Sequence, residues 1–195
     1  MKISFVEGEE NNFKITHKED LIRAKMFIEN SVTKVGLGFD VHAFSREKSN
    51  GIKICGVKIP FRKKLEGHSD ADVGLHAIVD ALLGAIAKGD IGKHFPPSDK
   101  KWKNADSSVF VKYTKDLIEK ENGKINNIDV TLICEEPKIS PHREKMIANV
   151  ARLLSIDKSK ISVKATTTEG LGFTGRKEGI AAQAIASVLI NREDK

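Results

Sequence analysis

The sequence predicts an α/β fold, an α+β sandwich in which one mixed β-sheet carries helices on one side. Two observations lead to this prediction. Apolar runs with a period of two alternate along the chain with amphipathic runs of helical period. The 195 residues are 39% hydrophobic and 31% charged, which is enough apolar content for one core. Because the helices cover one side, the other face of the sheet must be buried in some other way.

The elements follow one another in a simple order. Residues 1–33 form an N-terminal extension with a short helical pattern, and residues 34–195 form the domain, which begins with a strand at 33–44. The later elements are a hairpin at 52–59, helices at about 70–88, 107–120 and 141–154, and strands at about 125–134, 161–166 and 181–190. The extension is too acidic for a transit peptide, but it fits the remainder left after one has been removed.

A set of three candidate metal ligands is the most informative feature of the chain. Asp40 and His42 lie two residues apart in the first strand, so their side chains point to the same face. His76 lies inside a long apolar run. Two imidazoles and one carboxylate suit zinc and leave a fourth position open, as in catalytic sites. Since most histidines in such elements are hydrogen-bonded core residues, these residue types alone leave both interpretations open.

Three further acids surround His76 in the sequence. Asp70 and Asp72 precede the apolar run, where each either caps the helix or complements its dipole. Asp80 lies four residues after His76 in an otherwise apolar segment. It either orients a ligand or a loop, or lies at an exposed edge of the helix.

A second group of polar residues lies at 163–176. It holds three threonine hydroxyls and several glycines between Lys164 and Arg176, which is the chemistry of a phosphate or diphosphate site. Glu169 supplies a carboxylate for magnesium, which needs only one or two acids beside phosphate oxygens. A threonine-rich strand end followed by a glycine turn explains the same residues equally well, because no Walker or dinucleotide motif is present.

Four motifs together resemble one known family. They are GLGFDVHAF at 36–44, HSDADVGLHAIVDALLGA at 68–85, GDIGKHFPPSD at 89–99 and ATTTEGLGFTGRKEGIAAQA at 165–184. In this order and spacing they resemble the 2-C-methyl-D-erythritol 2,4-cyclodiphosphate synthases of the non-mevalonate isoprenoid pathway. The resemblance runs from about residue 34 to residue 190 and leaves out the extension.

The resemblance implies a reaction and two metal ions. These synthases cyclise 4-diphosphocytidyl-2-C-methyl-D-erythritol 2-phosphate: its 2-phosphate attacks the β-phosphorus, cytidine monophosphate leaves, and no water is consumed. By this resemblance Asp40, His42 and His76 bind zinc, whose open position takes a β-phosphate oxygen. Glu169 places magnesium or manganese between the α- and β-phosphates. Because the attacking group is an ionised phosphate, no general base is assigned.

The resemblance also implies the residues that bind the substrate. A mobile loop with His68 and Ser69 contacts the 2-phosphate, Asp90 and Gly92 receive the erythritol hydroxyls, and segment 134–140 binds cytidine. The full substrate-binding set is His68, Ser69, Asp90, Gly92, Asp99, Cys134, Glu136, Lys138, Ala165, Thr166, Thr167, Phe173 and Arg176. Within it Thr166 and Thr167 bind the diphosphate, and His68 and Thr167 are the candidate catalytic residues, with His68 positioning or stabilising charge.

A homotrimer is a further implication of the resemblance. The family's sheets face a threefold trimer axis, and each active site lies between neighbouring subunits. Phe39 and Arg176 match residues that line a central cavity, which in relatives can hold an isoprenoid diphosphate. Two residues near this axis depart from the usual pattern: Leu37 stands where relatives often carry a polar or aromatic residue, and Gln183 stands where many have Glu.

Composition and charge narrow the classes of function and the cellular locations that fit the chain. The formal charge of +6 agrees with a polyanionic substrate, and nucleic-acid binding is not expected because the lysines are scattered and aromatic platforms are missing. No membrane span is expected, and Cys55 and Cys134 suggest a reducing compartment. Lysine and asparagine abundance suggests a plastid-type organelle, with the cytoplasm as the location if the protein is bacterial. A metal-dependent phosphohydrolase, which would use the same ligands to activate water, is the alternative function.

Overall fold

A computed structural model of the protein describes residues 12–29 and 31–191. The chain divides into two units, of which one comprises residues 1–32 and 191–195 and the other comprises residues 33–190. The described part of the first unit holds a helix, α1 (Lys18–Glu29). The side chain of Asp20 accepts hydrogen bonds from the backbone N–H groups of Thr16 and His17 just before this helix, at 2.9 Å each. Residues 1–11 and 30 of the predicted extension lie outside the described residues.

The second unit is built on a mixed sheet, as predicted. The strands are β1 (Ser31–Lys48), β2 (Ile52–Ile54), β3 (Val57–Ile59), β4 (Lys63–Leu65), β5 (Gly123–Ile133), β6 (Ile161–Thr166) and β7 (Gly179–Asn191). Five of them form a sheet in the order β4-β1-β7-β5-β6, and β2 and β3 form the predicted hairpin. β5 is parallel to β6 and antiparallel to β7, which makes the sheet mixed.

The helices agree with the predicted positions at their centres and differ at their ends. They are α2 (Val73–Ala85), α3 (Ile91–His94), α4 (Ser108–Lys120), α5 (Arg143–Leu154) and α6 (Gly172–Gly175). The helix predicted at 70–88 begins only at Val73 because Asp72 caps it and accepts a hydrogen bond from the N–H of Leu75 at 3.0 Å. β4, α3 and α6 were not predicted, since elements of three or four residues show no periodicity. Within the described ranges, none of the helices is long and apolar enough to span a membrane.

Close packing of β1 on α2 positions the candidate site. A Cβ atom at Gly36 would lie 2.0 Å from the carbonyl oxygen of Ala81, and one at Gly38 would lie 2.0 Å from that of Ala77. Any side chain at these positions would therefore push the strand away from the helix. The two glycines bring the strand segment that follows them next to the helical turn that carries His76.

The sheet has one covered face and one open face. The helices lie on one side, where α2 is buried around nearly its whole circumference. On the open side, Val35, Leu37, Phe39 and Val41 alternate along β1 and are between 45% and 64% exposed, and Ile185 on β7 is also exposed. Five large apolar side chains on one sheet face form a surface of the kind that other protein surfaces cover.

Candidate metal centre and substrate cleft

Asp40, His42 and His76 come together in the structure. The Asp40 Oδ2 atom lies 3.0 Å from His42 Nε2 and 2.9 Å from His76 Nδ1, and the two nitrogens are 3.2 Å apart. The three atoms form a nearly equilateral triangle. Adjacent ligands of a tetrahedral zinc ion with bonds of about 2.0 Å are separated by roughly 3.3 Å, so this triangle matches one face of such a site. Asp40 and His42 therefore share a face of the strand as its period of two predicted, and His76 of the helix joins them.

Hydrogen bonds on the far sides of both rings orient them for metal binding. The Nδ1 atom of His42 lies 2.7 Å from the backbone carbonyl oxygen of Glu66, which can only accept, so Nδ1 carries the proton and Nε2 keeps its lone pair. The Nε2 atom of His76 lies 3.0 Å from Ser69 Oγ and 2.9 Å from Ser107 Oγ. When protonated, the two rings donate hydrogen bonds to Asp40; when His76 is neutral with its proton on Nε2, its Nδ1 lone pair is instead free for a metal ion. Three electron-pair donors then converge on one point, and this fits a bound divalent cation.

The electrostatics of the triad also favour a cation. Burial raises the pKa of the Asp40 carboxyl, but its hydrogen bonds with His42 and His76 outweigh burial and hold that pKa well below its usual range. Burial lowers the pKa of His42, and the hydrogen bond with Asp40 reverses this and raises it. Asp40 is consequently a carboxylate at neutral pH, with negative charge ready for a metal ion.

The three acids near His76 have separate tasks. Asp72 is fully buried, and besides capping α2 it accepts a hydrogen bond from the N–H of Cys55 at 2.7 Å, while burial raises its pKa. Asp80 accepts a hydrogen bond from the N–H of Ile91 at 2.8 Å, so it orients the loop before α3, one of the two roles expected for it. Asp70 does not cap the helix: it contacts Lys53 and Ser107.

A cleft of about 140 Å³ opens beside the triad. It is lined by His42, His68, Ser69, His76, Ile91, Gly92, Phe95, Pro97, Trp102 and Phe110. The structure thus brings His68, Ser69 and Gly92 of the predicted substrate-binding set next to two metal-ligand candidates. Asp90 and Asp99 do not line this cleft, and their side chains instead cap short helices by accepting hydrogen bonds from the backbone N–H groups of Lys93 and Lys101.

An aromatic wall of the cleft was not predicted. The ring of Phe95 lies 4.4 Å from that of Phe110 and 5.0 Å from that of Trp102, measured between centroids. A signal existed in the sequence, because the single Trp of the chain lies between two Phe residues directly after the third motif. The wall makes one side of the cleft apolar, next to the polar histidines and serine.

The remaining predicted residues gather at the ends of β5 and β6. The N–H of Cys134 donates to the carbonyl oxygen of Thr166 at 3.1 Å and joins segment 134–140 to segment 165–176. Thr167 Oγ1 donates to the exposed Glu169 carboxylate at 2.8 Å. The polar atoms predicted to bind diphosphate and the second metal therefore lie beside the start of the predicted cytidine segment.

Glu135 is a contact that sequence reasoning missed. Its carboxylate accepts hydrogen bonds from the N–H groups of Thr168 at 3.1 Å and Gly170 at 3.4 Å, on either side of Glu169. The backbone of Glu169 has a φ of 53°, so this turn is strained for a residue with a side chain. Glu135 stabilises the turn, and its position within the predicted cytidine segment was the available signal.

Other predicted residues here are exposed or paired at the surface. Arg176 forms a bidentate ion pair with Glu178 at 3.0 and 2.9 Å. Glu136 accepts from Lys177 at 2.8 Å. Lys138 is exposed, as are Ala165, Thr166 and Phe173, whereas Cys134 is buried, which raises the pKa of its thiol to about 12.

The predicted residues thus form two groups. Among the described residues, the cleft is lined only by positions between 42 and 110, and none comes from segments 134–140 or 165–176. Glu169 is likewise outside the cluster of Asp40, His42 and His76. A single chain presents a metal-binding half and a separate half rich in hydroxyls and charges.

A helix-covered mixed sheet with two imidazoles and a carboxylate converging beside a cleft defines a metal-site α/β protein. The YgbB family model matches residues 33–189, and the chain belongs to that family. It is 53% identical over 189 residues to a Gluconobacter oxydans protein described as bifunctional enzyme IspD/IspF, covering 96% of this chain and 48% of that protein. A Paramagnetospirillum magneticum protein of the same description is 52% identical over 193 residues, covering 98% and 50%.

The chain spans about half the length of the curated relatives it matches. A match over 98% of the chain includes most of residues 1–32, which precede the family match. The extension is therefore similar to these bacterial proteins, although no family motif was found in it. The relatives are bacterial, and none of these matches supports the predicted plastid-type location.

Solved structures agree with the family. The bifunctional IspDF from Campylobacter jejuni has a TM-score of 0.78 at 39% identity, covering 97% of this chain and 51% of that one. An IspF–CDP complex from Plasmodium falciparum has a TM-score of 0.71 at 37% identity, covering 83% and 97%. A CDP-bound 2C-methyl-D-erythritol-2,4-cyclodiphosphate synthase has a TM-score of 0.72 at 31% identity, covering 80% and 99%. The resemblance drawn from the four sequence motifs is confirmed.

Proposed function

We propose that this chain converts 4-diphosphocytidyl-2-C-methyl-D-erythritol 2-phosphate to 2-C-methyl-D-erythritol 2,4-cyclodiphosphate and CMP, as a lyase of the non-mevalonate isoprenoid pathway. The observation that carries the proposal is the triangle of Asp40, His42 and His76 beside the cleft, in a chain of the YgbB family. Family structures solved with CDP support a cytidine nucleotide as part of the substrate.

The proposed cofactors are zinc at the triad and magnesium or manganese at Glu169. The nitrogen and oxygen ligands and their spacing of about 3 Å support zinc, and the exposed carboxylate beside Thr167 supports a hard cation. When bound, the two ions would polarise the β-phosphate and offset the charge that develops on the departing CMP. The triad leaves the side facing the cleft open for a phosphate oxygen.

The protein's own contribution is to position a substrate that already contains its nucleophile. His68 and Ser69, which line the cleft, would hold the 2-phosphate, and Gly92, which also lines it, would with Asp90 receive the erythritol hydroxyls. Thr166, Thr167 and Lys138 would hold the diphosphate and the nucleotide. Because phosphoryl transfer depends mainly on alignment and charge neutralisation, these contacts suffice without an enzyme nucleophile.

A phosphohydrolase with the same ligands is the alternative, and product analysis in ¹⁸O-water separates the two. The synthase reaction uses no water, so we expect a cyclic diphosphate and CMP without the label. A hydrolase would instead incorporate one ¹⁸O atom into a linear product, detected by mass spectrometry and ³¹P NMR. An ¹⁸O-labelled linear product from the metal-loaded protein would contradict the proposed function.

We propose that the chain acts as a homotrimer whose open sheet faces meet at a threefold axis. Support comes from the exposed apolar stripe on β1 and Ile185 on β7, which are costly to leave in water. We expect Val35→Asp to shift the molar mass measured by light scattering from three chains toward one. Val109→Asp on α4, where Val109 is 45% exposed, is the matched control and should leave the mass unchanged.

The central cavity of this trimer is proposed to bind an isoprenoid diphosphate. Phe39 is on the exposed stripe and offers an apolar contact, and the exposed Arg176 would exchange its ion pair with Glu178 for one with a phosphate. Leu37 adds apolar surface on the same face, and Gln183 carries no negative charge that would repel an anion. The experiment is calorimetric titration with a long-chain isoprenoid diphosphate, in which Arg176→Ala should weaken binding.

The organisation of the chain is proposed from the same comparisons. Residues 34–195 would act as the synthase domain, and residues 1–33 as an extension shared with the bifunctional bacterial relatives. The bacterial origin of those relatives supports a cytoplasmic location in place of a plastid-type organelle.

A further inference from the structure

We propose that Ser107, held by Asp70 and Lys53, is a positioning residue for the metal ligand His76. This inference rests on the proposed metal site. Ser107 is fully buried immediately before α4, and its hydroxyl lies 2.9 Å from His76 Nε2 and 2.5 Å from the Asp70 carboxylate. Lys53 Nζ completes the chain of contacts at 3.2 Å from the other Asp70 oxygen.

The direction of these hydrogen bonds follows from their charges. The Asp70 carboxylate can only accept when ionised, and the ammonium group of Lys53 can only donate. The Ser107 hydroxyl therefore donates to Asp70 and is left with lone pairs toward His76. The Nε2 proton of His76 is the group that these lone pairs can accept. A proton held on Nε2 keeps the Nδ1 lone pair available to the metal.

Ser69 is a weaker candidate for this role. Its hydroxyl also lies near His76 Nε2, at 3.0 Å, but Ser69 is half-buried, lines the cleft and belongs to the loop expected to bind phosphate. A residue that turns toward substrate cannot at the same time hold the imidazole. Ser107 is buried away from solvent and has its own carboxylate partner, so it is the permanent acceptor.

Backbone hydrogen bonds in the same region also hold the loop that carries His68. The N–H of Asp70 donates to the carbonyl oxygen of Ala105 at 3.1 Å, and the N–H of Asn104 donates to that of His68 at 2.9 Å. Segment 104–107 therefore holds both the loop that carries His68 and the ring of His76. Lys53 also binds Asp106 at 2.6 Å, which ties this segment to β2. The same segment thus holds both the candidate metal ligand His76 and the loop that is expected to bind phosphate.

The test compares zinc affinity by chelator competition in Ser107→Ala, Asp70→Asn, Ser69→Ala and the unaltered protein. Loss of a partner behind a metal-binding histidine typically weakens affinity by about 10–100-fold, and we expect a loss in that range for Ser107→Ala. Asp70→Asn should lose less, because the amide oxygen still accepts. Ser69→Ala should change zinc affinity little and turnover more.

A second measurement separates positioning from general destabilisation. In the zinc-loaded protein, the Nε2 proton of His76 should exchange slowly with solvent, and Ser107→Ala should accelerate that exchange. The control is Thr114→Val, which removes a hydroxyl that is equally buried on α4 but donates only to the carbonyl oxygen of Phe110 at 2.9 Å. It should leave both zinc affinity and proton exchange unchanged.

Two results would overturn the inference, and they differ from failure of the proposed function. Unchanged zinc affinity and unchanged Nε2–H exchange in Ser107→Ala, with zinc still lost in His76→Ala, would remove the role of Ser107 alone. Equal losses of zinc affinity in Ser107→Ala and Thr114→Val would show that the effect comes from general destabilisation of the fold. Full zinc binding by His76→Ala would remove the metal site itself, and the proposed function with it.

Discussion

The two halves of the candidate site are built differently. The metal half is held by buried elements: β1 packs on α2 through glycine contacts, and both imidazoles have partners behind them. The half at 134–140 and 165–176 lies at strand ends, where Thr167 donates to the exposed Glu169 carboxylate and Glu135 accepts from the backbone N–H of Thr168. The three candidate metal ligands come together within one chain, whereas the second half presents its polar groups outward. This difference is expected when a neighbouring chain completes the site.

The largest effect is predicted for the metal half. Asp40→Asn or His42→Ala should abolish zinc binding and reduce turnover by at least about a thousandfold, since the metal and the alignment of the phosphate are lost together. Stoichiometric metal analysis and steady-state kinetics measure the two effects. The fold should persist, because the triad lies beside an open cleft and does not close a structural metal site.

His94→Ala is the matched control for that prediction. His94 is bonded through Nε2 to the carbonyl oxygen of Lys88 at 3.0 Å and is not among the residues of the cleft. The His94→Ala variant should keep its zinc and most of its activity. Full zinc retention in His42→Ala would contradict the assignment of the triad.

A smaller effect is predicted for the second half. Glu169→Gln should leave zinc bound while raising the magnesium or manganese concentration needed for half-maximal rate by roughly 10–100-fold, because the amide carries no charge to attract the cation. The measurement is a rate titration with each metal beside zinc analysis of the same samples. If the variant shows an unaltered metal profile, the division of the two cations between the two halves is wrong.

The smallest effect is predicted for the ion pair between Lys53 and Asp106, which lies next to the metal half. The hydrogen bond from Lys53 lowers the pKa of Asp106 from 3.8 to about 2, so the carboxylate stabilises the fold at pH values above 3.8 and loses this contribution as the pH falls toward 2. Both side chains are substantially exposed, so the contribution is less than about 1 kcal/mol. The difference in unfolding free energy between Asp106→Asn and the unaltered protein should be largest near pH 5 and should shrink as the pH falls toward 2. A constant difference would exclude this titration.

The three candidate metal ligands could be predicted because their sequence signals are local. A period of two in a strand is enough to place Asp40 and His42 on one face, and the apolar run around His76 predicts its helix. The order of strands and the contact between β1 and α2 depend on long-range packing, which periodicity does not show. Gly36 and Gly38 were visible as residues, but their contact with α2 was not.

Other features of the structure could not be predicted from sequence patterns or motifs. Ser107 lies 31 residues from His76 and Glu135 lies 33 residues from Thr168, so their hydrogen bonds arise only after folding. The short elements α3 and α6 depend on caps and turns too brief for periodicity. The confirmed family resemblance came from motif order and spacing, while the assignment of individual substrate contacts stays a prediction.

The central claim is that one chain supplies the metal half of a site and its neighbour supplies the nucleotide half. Exchange of subunits between two inactive variants tests it. His76→Ala damages the metal half, and Lys138→Glu removes a phosphate contact and adds repulsion, which should weaken substrate binding roughly a thousandfold. In an equal mixture with random exchange, about one site in four joins two intact halves.

The measurement is turnover of this mixture after mass spectrometry has proven subunit exchange. The predicted result is activity near a quarter of that of the unaltered trimer, well above either variant alone. A mixture of His76→Ala with Asp40→Asn, which damages the metal half twice, should stay inactive and serves as the control. If the exchanged mixture of His76→Ala and Lys138→Glu is no more active than its parents, each site is built within one chain and the claim is wrong.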